Sequence, residues 1–501
     1  MDQRLASIDL GSNTFRLSIG RAVQRDGKAQ IYAEDQLREL VNLAGGLDEY
    51  KRIRPETVAR ALATLERFGE RLQGFEPANV RAVATNTFRV ARNAPDILPA
   101  AERALGFPIE IISGQEEARL IFLGVANELP PSDQRRLVID IGGGSTEFII
   151  GKNYKPVRLA SLPIGCTTHT RMYFPQGRIT DSRMRQAILG ARREIEAIAR
   201  PYRHAGWDQA LGSSGTAKGL LAVLTENGFS ERAITFEGMD RLHAALIQAG
   251  EVRLQDWAGL KAERAPVLAG GLAIMIAAFQ ELNIDTMGIG EGALRVGVLY
   301  DLLGRDSLHD KRDETVRQFV QRYQVDEAQA ARVELLALAL FDQMGLPPSP
   351  ETEDLRRALS WTAALHECGL AIAHADYHKH SAYILKHADM PGFSRDDQEL
   401  LAFLAQGHQG KLGKLRERSS DRSRWLALCC LRLAVLMHRG REDAPPPPLH
   451  LSIHNSCVQI SLDAGWLSTR PLSEFSLHAE IEIWRKAGFE LRLSTEAALV
   501  P

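Results

Sequence analysis

Apolar positions along the first three hundred residues fall into two alternating periods. Short apolar runs read as strands: one around Ile8, a second from Thr14, then Val80–Thr85, Ile109–Ser113, Ala210–Leu211 and the stretch opening at Met287. Between them lie stretches with the helical period. In Glu56–Phe75, Val58, Leu62, Leu65, Phe68 and Leu72 form one stripe, and Gln115–Val125 reads as another helix. Alternating strands and helices predict α/β architecture, with two related lobes around a cleft. The apolar stretch Ala265–Phe279 contains Pro266, Gly270 and Gly271, and a buried helix is the expectation. From about Asp306 the pattern becomes helical, and Leu449–Leu462 (LHLSIHNSCVQISL) alternates apolar and polar residues, so a small β-containing terminal module is expected.

One element of this pattern occurs twice. SIDLGSNTFRLSIG (Ser7–Gly20) lies over VIDIGGGSTEFIIG (Val138–Gly151) with Asp9 on Asp140, Gly11 on Gly142 and Gly20 on Gly151. Both copies read as strand, Asp-x-Gly turn, strand. Glycine lets the backbone approach an anion closely, and consecutive N–H groups can converge on it. Ser and Thr hydroxyls add donors, and a strand-end Asp can hold a hard cation such as Mg²⁺. A single copy would be an ordinary hairpin. Two copies with the Asp in register favour a phosphate clamp.

Bulk properties narrow the class. The chain has 501 residues, 45% hydrophobic and 25% charged, with a formal net charge of −2. That length suggests roughly three or four domains, and the charge gives no generic nucleic-acid binder. The five cysteines lack CxxC spacing, which fits a reducing compartment. The N-terminus runs straight into a strand without a signal-like segment. A cytoplasmic protein without stable membrane insertion is expected.

Other segments add candidate chemistry. After IEIIS comes Gly114-Gln115-Glu116-Glu117, where acids open a helix. Such acids commonly answer the helix dipole. One of them facing the cleft could instead deprotonate a water, and the residues themselves do not choose between Glu116 and Glu117. The loop Thr85–Arg89 supplies hydroxyls and Arg89, whose planar fork matches phosphate. Gly212-Ser213-Ser214-Gly215-Thr216 reads as an anion-binding strand–loop–helix, and MGIGEGALR places glycines beside Glu291 and Arg295. None matches GxxxxGK[ST] or GxGxxG.

Together IDLGSNTFRL, ISGQEEARLIFLGV, VIDIGGGSTEF, LGSSGTAKG and GEGALRVGVLY resemble the exopolyphosphatase / guanosine pentaphosphate phosphatase family, in its long bacterial form. The resemblance implies two lobes of the actin, Hsp70 and sugar-kinase (ribonuclease H-like) fold, at 1–124 and 125–304. It implies a helical HD-like domain at 305–442 and a small α+β module at 443–501. Glu117 matches the family's catalytic glutamate. Asp140 matches a catalytic or Mg²⁺-associated carboxylate, and Asp9 is its counterpart, so Asp9, Asp140 and Glu117 are expected around Mg²⁺. Gly11, Ser12, Asn13 and Thr14 match one phosphate-binding loop, and Gly142, Gly143, Gly144, Ser145 and Thr146 match the other. Ser214 and Gly215 join them, and Arg89 matches an arginine near the terminal phosphates. A homodimer is also implied.

In the C-terminal third, His366-Glu367 stands where an HD-like domain has His-Asp, with His374, His378 and His380 following. That departure points to a degenerate scaffold for substrate binding or dimer contacts. Lys411–Arg424 is locally basic, and Lys411, Lys414, Arg416 and Arg418 form a candidate path for a polyanion, extended by Arg439 and Arg441. Pro445–Pro448 reads as a stiff linker. The expected activity is Mg²⁺-dependent release of terminal orthophosphate from inorganic polyphosphate. Hydrolysis of guanosine pentaphosphate to the tetraphosphate is the alternative, and a phosphotransferase or a non-catalytic sensor on the same fold stands further off.

Overall fold

The structure is a computed structural model, and it describes residues 3–25, 28–130, 132–305, 310–442, 448–454 and 457–496. By internal contacts the chain forms two units, Met1–His309 and Asp310–Pro501. The two expected lobes fall within the first unit. The expected helical and terminal modules fall within the second.

The first lobe is a five-stranded sheet, β1 (Gln3–Leu10), β2 (Thr14–Arg25), β3 (Lys28–Leu40), β4 (Val80–Ala84) and β5 (Ile109–Ile111), in the order β3-β2-β1-β4-β5. Its helices are α1 (Pro55–Arg71), α2 (Asn86–Val90), α3 (Ala94–Leu105) and α4 (Gly114–Glu128). Most of the segment expected as a loop at Thr85–Arg89 is therefore the short helix α2, which Thr85 precedes. The stripe on α1 is centred on Ala61, Leu65 and Phe68, which are buried against the sheet's core.

The second lobe repeats the plan. Strands β6 (Arg135–Ile141), β7 (Thr146–Lys152), β8 (Lys155–Leu162), β9 (Gln209–Gly212), β10 (Ile234–Thr235) and β11 (Thr286–Ile289) are ordered β10-β11-β9-β6-β7-β8. In each lobe three antiparallel strands open the sheet, β1-β2-β3 or β6-β7-β8, and the first of them pairs in parallel with the next, β4 or β9. Its helices are α5 (Cys166–Tyr173), α6 (Asp181–Ala205), α7 (Gly215–Glu226), α8 (Phe236–Ala249), α9 (Leu268–Leu282) and α10 (Leu294–Arg305). Ala265–Leu282 is long and apolar enough to cross a membrane by composition, but most of it is buried in this lobe's core. A helix packed on all sides needs no polar face.

Helix α10 follows the second sheet in sequence yet packs on β1, β2 and α4. Two features fix that crossing. Gly124 and Gly297 let the backbones of α4 and α10 touch: a Cβ on Gly297 would fall 1.7 Å from the Leu120 carbonyl oxygen, and one on Gly124 would fall 2.3 Å from that of Ala293. Beside them lies a buried ion network. Arg81 of β4 binds Asp301 of α10 at 2.6 Å and Glu110 at 2.9 Å. Arg119 of α4 binds Glu116 at 2.7 Å and also Asp301. Each charge is matched, which buried ions require.

The second unit contains α11 (Lys311–Arg322), α12 (Glu327–Gln343), α13 (Pro350–Leu365), α14 (Tyr377–His387), α15 (Arg395–Gly407), α16 (Gly413–Arg416), α17 (Arg422–Met437), α18 (Ala464–Ser468) and α19 (Pro471–Lys486). A three-stranded sheet, β12 (Leu449–His454), β13 (Cys457–Asp463) and β14 (Leu491–Glu496), completes it. The strands and α17 share one core that includes Leu428, Leu431, Leu451, Ile460 and Trp484. Of the proline run read as a linker, only Pro448 lies among the described residues.

The glycine contact between α4 and α10 yields a direct test. Gly297→Ala overpacks a backbone-to-backbone contact and is expected to destabilise the protein by about 1–3 kcal/mol, read as a lowered thermal unfolding midpoint. A midpoint equal to that of the unsubstituted protein would remove the close-packing account.

Candidate active site

The duplicated motif folds as two hairpins whose turns face one another across the cleft of the first unit. In the first, Gly11–Asn13 joins β1 to β2. In the second, Gly142–Ser145 joins β6 to β7, closed by the Gly142 N–H donating to the Ser145 carbonyl at 2.9 Å. The turns approach so closely that a Cβ on Gly143 would lie 3.2 Å from the Ser12 Cβ. A Cβ on Gly165 would lie 2.4 Å from the Gly143 carbonyl carbon. Gly165 thus lets α5 dock on the second turn, where the N–H groups of Cys166 and Thr167 donate to Gly142 and Gly143 carbonyls at 2.9 and 3.0 Å.

A cavity of about 130 Å³ opens between the turns. It is lined by Asp9, Gly11, Ser12, Asn13 and Thr14 from one hairpin and by Asp140, Gly142, Gly143 and Ser145 from the other. Glu117, Ser214 and Gly215 complete the expected set that reaches it. Gly144 and Thr146 do not line it. Gly144 lies against Asn86, and the buried Thr146 hydroxyl donates to the Ile164 carbonyl at 2.6 Å. Arg89 also lies outside the lining: its Nη1 donates to Glu117 Oε2 at 2.7 Å and to the Ile112 carbonyl at 3.0 Å. In this structure Arg89 orients Glu117.

Helix α4 separates the two adjacent acids. Ser113 caps it by accepting from the Glu116 N–H at 3.1 Å. Glu116 then turns into the buried network with Arg119 and Arg81, while Glu117 lines the cavity. One step along a helix rotates a side chain by about 100°, so neighbours in sequence face different surroundings.

Electrostatically the cleft is crowded with negative charge. Burial raises the Asp9 carboxyl to about 7, with Glu117 and Asp140 adding repulsion and Arg16 opposing it. Burial raises Asp140 to about 6, although the Ser213 hydroxyl donates to its Oδ2 at 2.6 Å. Glu147 is pushed well up, first by burial and then by Glu117 and Asp140. The Ser161 hydroxyl donates to Glu147 Oε1 at 2.8 Å. Asp9 Oδ1 is buried and has no hydrogen-bond partner.

Sequence reasoning passed over Arg16, Arg264 and Glu147, and it named Ser213 only as part of an anion-binding loop. Arg16 and Arg264 line the cavity, and Ser213 holds Asp140. Glu147 is 1% exposed beside Glu117 and Asp140. The repeat carried a usable signal, because overlaying the two copies puts Arg16 on Glu147. In the folded hairpins these residues sit directly opposite the aspartates, Asp9 opposite Arg16 and Asp140 opposite Glu147, where side chains share a face. Arg264 gave none: its guanidinium reaches across the entrance to α7 and lies 1.9 Å from where a Gly215 Cβ would be.

The model of the Ppx/GppA phosphatase family matches residues 22–306, and that of Ppx/GppA phosphatase domain III matches 311–481. The chain belongs to the Ppx/GppA phosphatase family. It is accordingly a hydrolase of phosphoanhydride bonds. It is 36% identical over 493 residues to a guanosine-5'-triphosphate,3'-diphosphate pyrophosphatase of Vibrio cholerae serotype O1, covering 97% of each chain. It is 37% identical over 491 residues to the protein of that name from Vibrio vulnificus, again over 97% of each. Among solved structures, the Aquifex aeolicus member of the family superposes with a TM-score of 0.51 at 25% identity, over 61% of this chain and all of that one. A Cytophaga hutchinsonii exopolyphosphatase superposes at 0.53 with 24% identity, over 60% of this chain and 98% of that one, a likeness of fold. The expected two-lobed actin-like fold followed by a helical region is therefore the fold of this family member.

The carboxylates of the second unit's HD-like region are arranged differently. His366 is buried, with its Nδ1–H donating to the Ala363 carbonyl at 2.7 Å, and burial lowers its pKa. Glu367 Oε1 is bound by Arg441. Among the described residues, no group of three or more His, Cys, Asp or Glu side chains converges to hold a metal ion. Of the candidate polyanion path, Lys411 and Lys414 are exposed. Arg416 donates to the Ala487 carbonyl at 2.7 Å and stacks 4.7 Å from the Phe489 ring centre, and Arg418 pairs with Glu399 at 3.3 Å. Both arginines are exposed and at the same time engaged within their own unit.

The raised carboxyls link stability to pH. Asp9 and Asp140 bind protons more tightly folded than unfolded, so between their unfolded value near 3.8 and their folded values of about 7 and about 6 the folded state carries more protons. Stability therefore falls as pH rises through that window. Asp9→Asn removes one buried charge and is expected to unfold at a higher temperature than the unsubstituted protein at pH 8, by at least about 1 kcal/mol, with the gap closing near pH 4. Equal midpoints at pH 8 would rule out a cost for burying the Asp9 charge.

Proposed function

We propose that the chain hydrolyses the terminal phosphoanhydride bond of guanosine pentaphosphate, releasing orthophosphate and the tetraphosphate, with Mg²⁺ as cofactor. The observation that carries the substrate is likeness at near-full length to proteins named for that nucleotide. Inorganic polyphosphate, the substrate that the motifs alone put first, ends in the same kind of bond, but the two near-full-length Vibrio relatives are named for the nucleotide. The cavity agrees with attack at a chain end. At about 130 Å³ it is well below the roughly 300–1,000 Å³ that encloses a drug-sized ligand, so it admits a phosphoryl group while the rest of the substrate lies outside.

The residues suit Mg²⁺. Carboxylate oxygens are its ligands, and Mg²⁺ takes one or two of them alongside phosphate and water. Asp9 offers a buried oxygen without a partner, and Asp9 and Asp140 both sit in a field that a cation would relieve. When bound, the ion would neutralise phosphate oxygens. Glu117, paired with Arg89, is assigned to the water instead.

Backbone N–H groups of the two turns and the hydroxyls of Ser12, Thr14 and Ser145 hold the terminal phosphoryl group. Arg16 and Arg264 meet its negative charge. Glu117 accepts a hydrogen bond from the attacking water and takes its proton as the new P–O bond forms and the bridging P–O bond breaks. Ser213 keeps Asp140 aimed at the same group.

The test is phosphate release from guanosine pentaphosphate and from long-chain polyphosphate, side by side. A higher kcat/KM for the nucleotide is expected, and the reverse order would return the assignment to polyphosphate. Glu117→Gln is expected to lower kcat by about 10²–10⁴ with KM little changed. Turnover like that of the unsubstituted enzyme would remove Glu117 from the role of base.

A further inference from the structure

A cavity of about 390 Å³ lies within the second unit, between the start of α17 and the turn that joins α19 to β14. Its size falls within the roughly 300–1,000 Å³ of small-molecule sites. Three aromatic rings form one wall: Trp425 of α17, Trp484 of α19 and Phe489 of the turn. They meet edge to face or tilted. Ring centres lie 4.6 Å apart for Trp425 and Phe489, 5.4 Å for Trp484 and Phe489, and 5.8 Å for the two indoles. The indoles are buried, and Phe489 is partly exposed.

Most polar groups of the lining are spent within the fold. The Trp425 Nε1–H donates to the Ser419 carbonyl at 3.0 Å, and the Trp484 Nε1–H donates to Glu480 at 2.7 Å. The Ser419 hydroxyl accepts from the Asp421 N–H at 3.2 Å. Burial pushes the Cys429 thiol up, so it stays neutral. Glu490 is paired with Arg492. Two guanidiniums remain. Arg416 stands 4.7 Å over the Phe489 ring centre and gives Nη1 to the Ala487 carbonyl. That bond uses one of its five N–H donors and fixes the group in place. Arg422 opens α17, where its neighbours Asp421 and Arg424 pair with each other at 3.3 Å. Arg422 itself has no ion-pair partner among the described residues. Both guanidinium-bearing residues are exposed, so a ligand reaches them from solvent without opening the fold.

This lining dictates what fits. Two arginines, with the one carboxylate of the lining already paired, favour an anion, and the planar guanidinium fork matches a carboxylate. The wall favours a flat apolar body. Aromatic rings prefer offset and edge-to-face partners, an arrangement that an aromatic guest extends and an alkyl chain cannot. Since the rings and Arg416 are already held by the fold, binding adds little ordering cost. We propose that this cavity binds a small aromatic carboxylate, with its ring against Phe489 and the two indoles and its carboxylate held by Arg416 and Arg422. The site is separate from the cleft of the first unit and does not depend on the substrate proposed there.

Calorimetric titration of the full-length chain with 2-naphthoate tests the site, with 2-naphthamide as the neutral counterpart and octanoate as an aliphatic acid. 2-Naphthoate is expected to bind at least tenfold more tightly than either. Arg422→Glu should weaken it at least tenfold while leaving the thermal unfolding midpoint unchanged, because Arg422 is exposed. Arg422→Gln, which removes the charge without reversing it, should give a smaller loss in the same direction and serves if Arg422→Glu unfolds. No saturable binding of 2-naphthoate up to about 1 mM would overturn the proposal. So would equal affinity for 2-naphthamide, which removes the cations, or for octanoate, which removes the rings. Unchanged affinity in both Arg422 variants would also overturn it, by placing the ligand elsewhere.

Discussion

Four carboxylates, Asp9, Glu117, Asp140 and Glu147, are gathered at one small cleft, and the surrounding structure is arranged to tolerate their repulsion. Burial alone would push such groups to hold protons, and three of them are pushed that way. Three of the four are restrained by a short contact, each from a different element. Ser213 from the end of β9 holds Asp140, Ser161 from β8 holds Glu147, and Arg89 from α2 holds Glu117. Of the four, only Asp9 has a fully buried oxygen without a partner. A site with this surplus of negative charge is poised for cations, and the backbone N–H groups of the two turns with Arg16 and Arg264 are what it would offer to phosphate.

The lobes must stay in register for these contacts to meet, and that depends on the crossing of α4 and α10. Helix α4 delivers Glu117 to the cleft. Its next-door residue, Glu116, anchors the same helix through Arg119, Arg81 and Asp301. Gly124 and Gly297 bring the two helix backbones together. One pair of adjacent acids therefore serves structure and chemistry at once, separated by a single step of the helix.

Much of the first unit was legible in sequence. Strand and helix periods located the elements that frame the cleft, and the repeated Asp-x-Gly turn showed that two loops act as a pair. Each turn is an ordinary hairpin, and each also lines the cavity. Motif membership overreached where side chains turn away. Thr146 spends its hydroxyl on the Ile164 carbonyl, and α2 replaces the expected loop at Thr85–Arg89. The basic run from Lys411 looked uniform in sequence, yet Arg416 stacks on Phe489 and caps the Ala487 carbonyl. Charge counts cannot distinguish a free cation from one already engaged.

By itself the sequence determined the family, the duplicated architecture and the residue types that crowd the cleft, because period, glycine placement and motif order are local properties of the chain. Tertiary structure decided which of Glu116 and Glu117 faces the cavity, that Arg89 binds a glutamate, and that Arg16, Arg264 and Ser213 belong to the site. It also decided that Glu367 keeps a buried oxygen without a partner. Those outcomes depend on which distant side chain arrives opposite each group, and hydrogen bonds and ion pairs are settled only when the packed elements fix that distance.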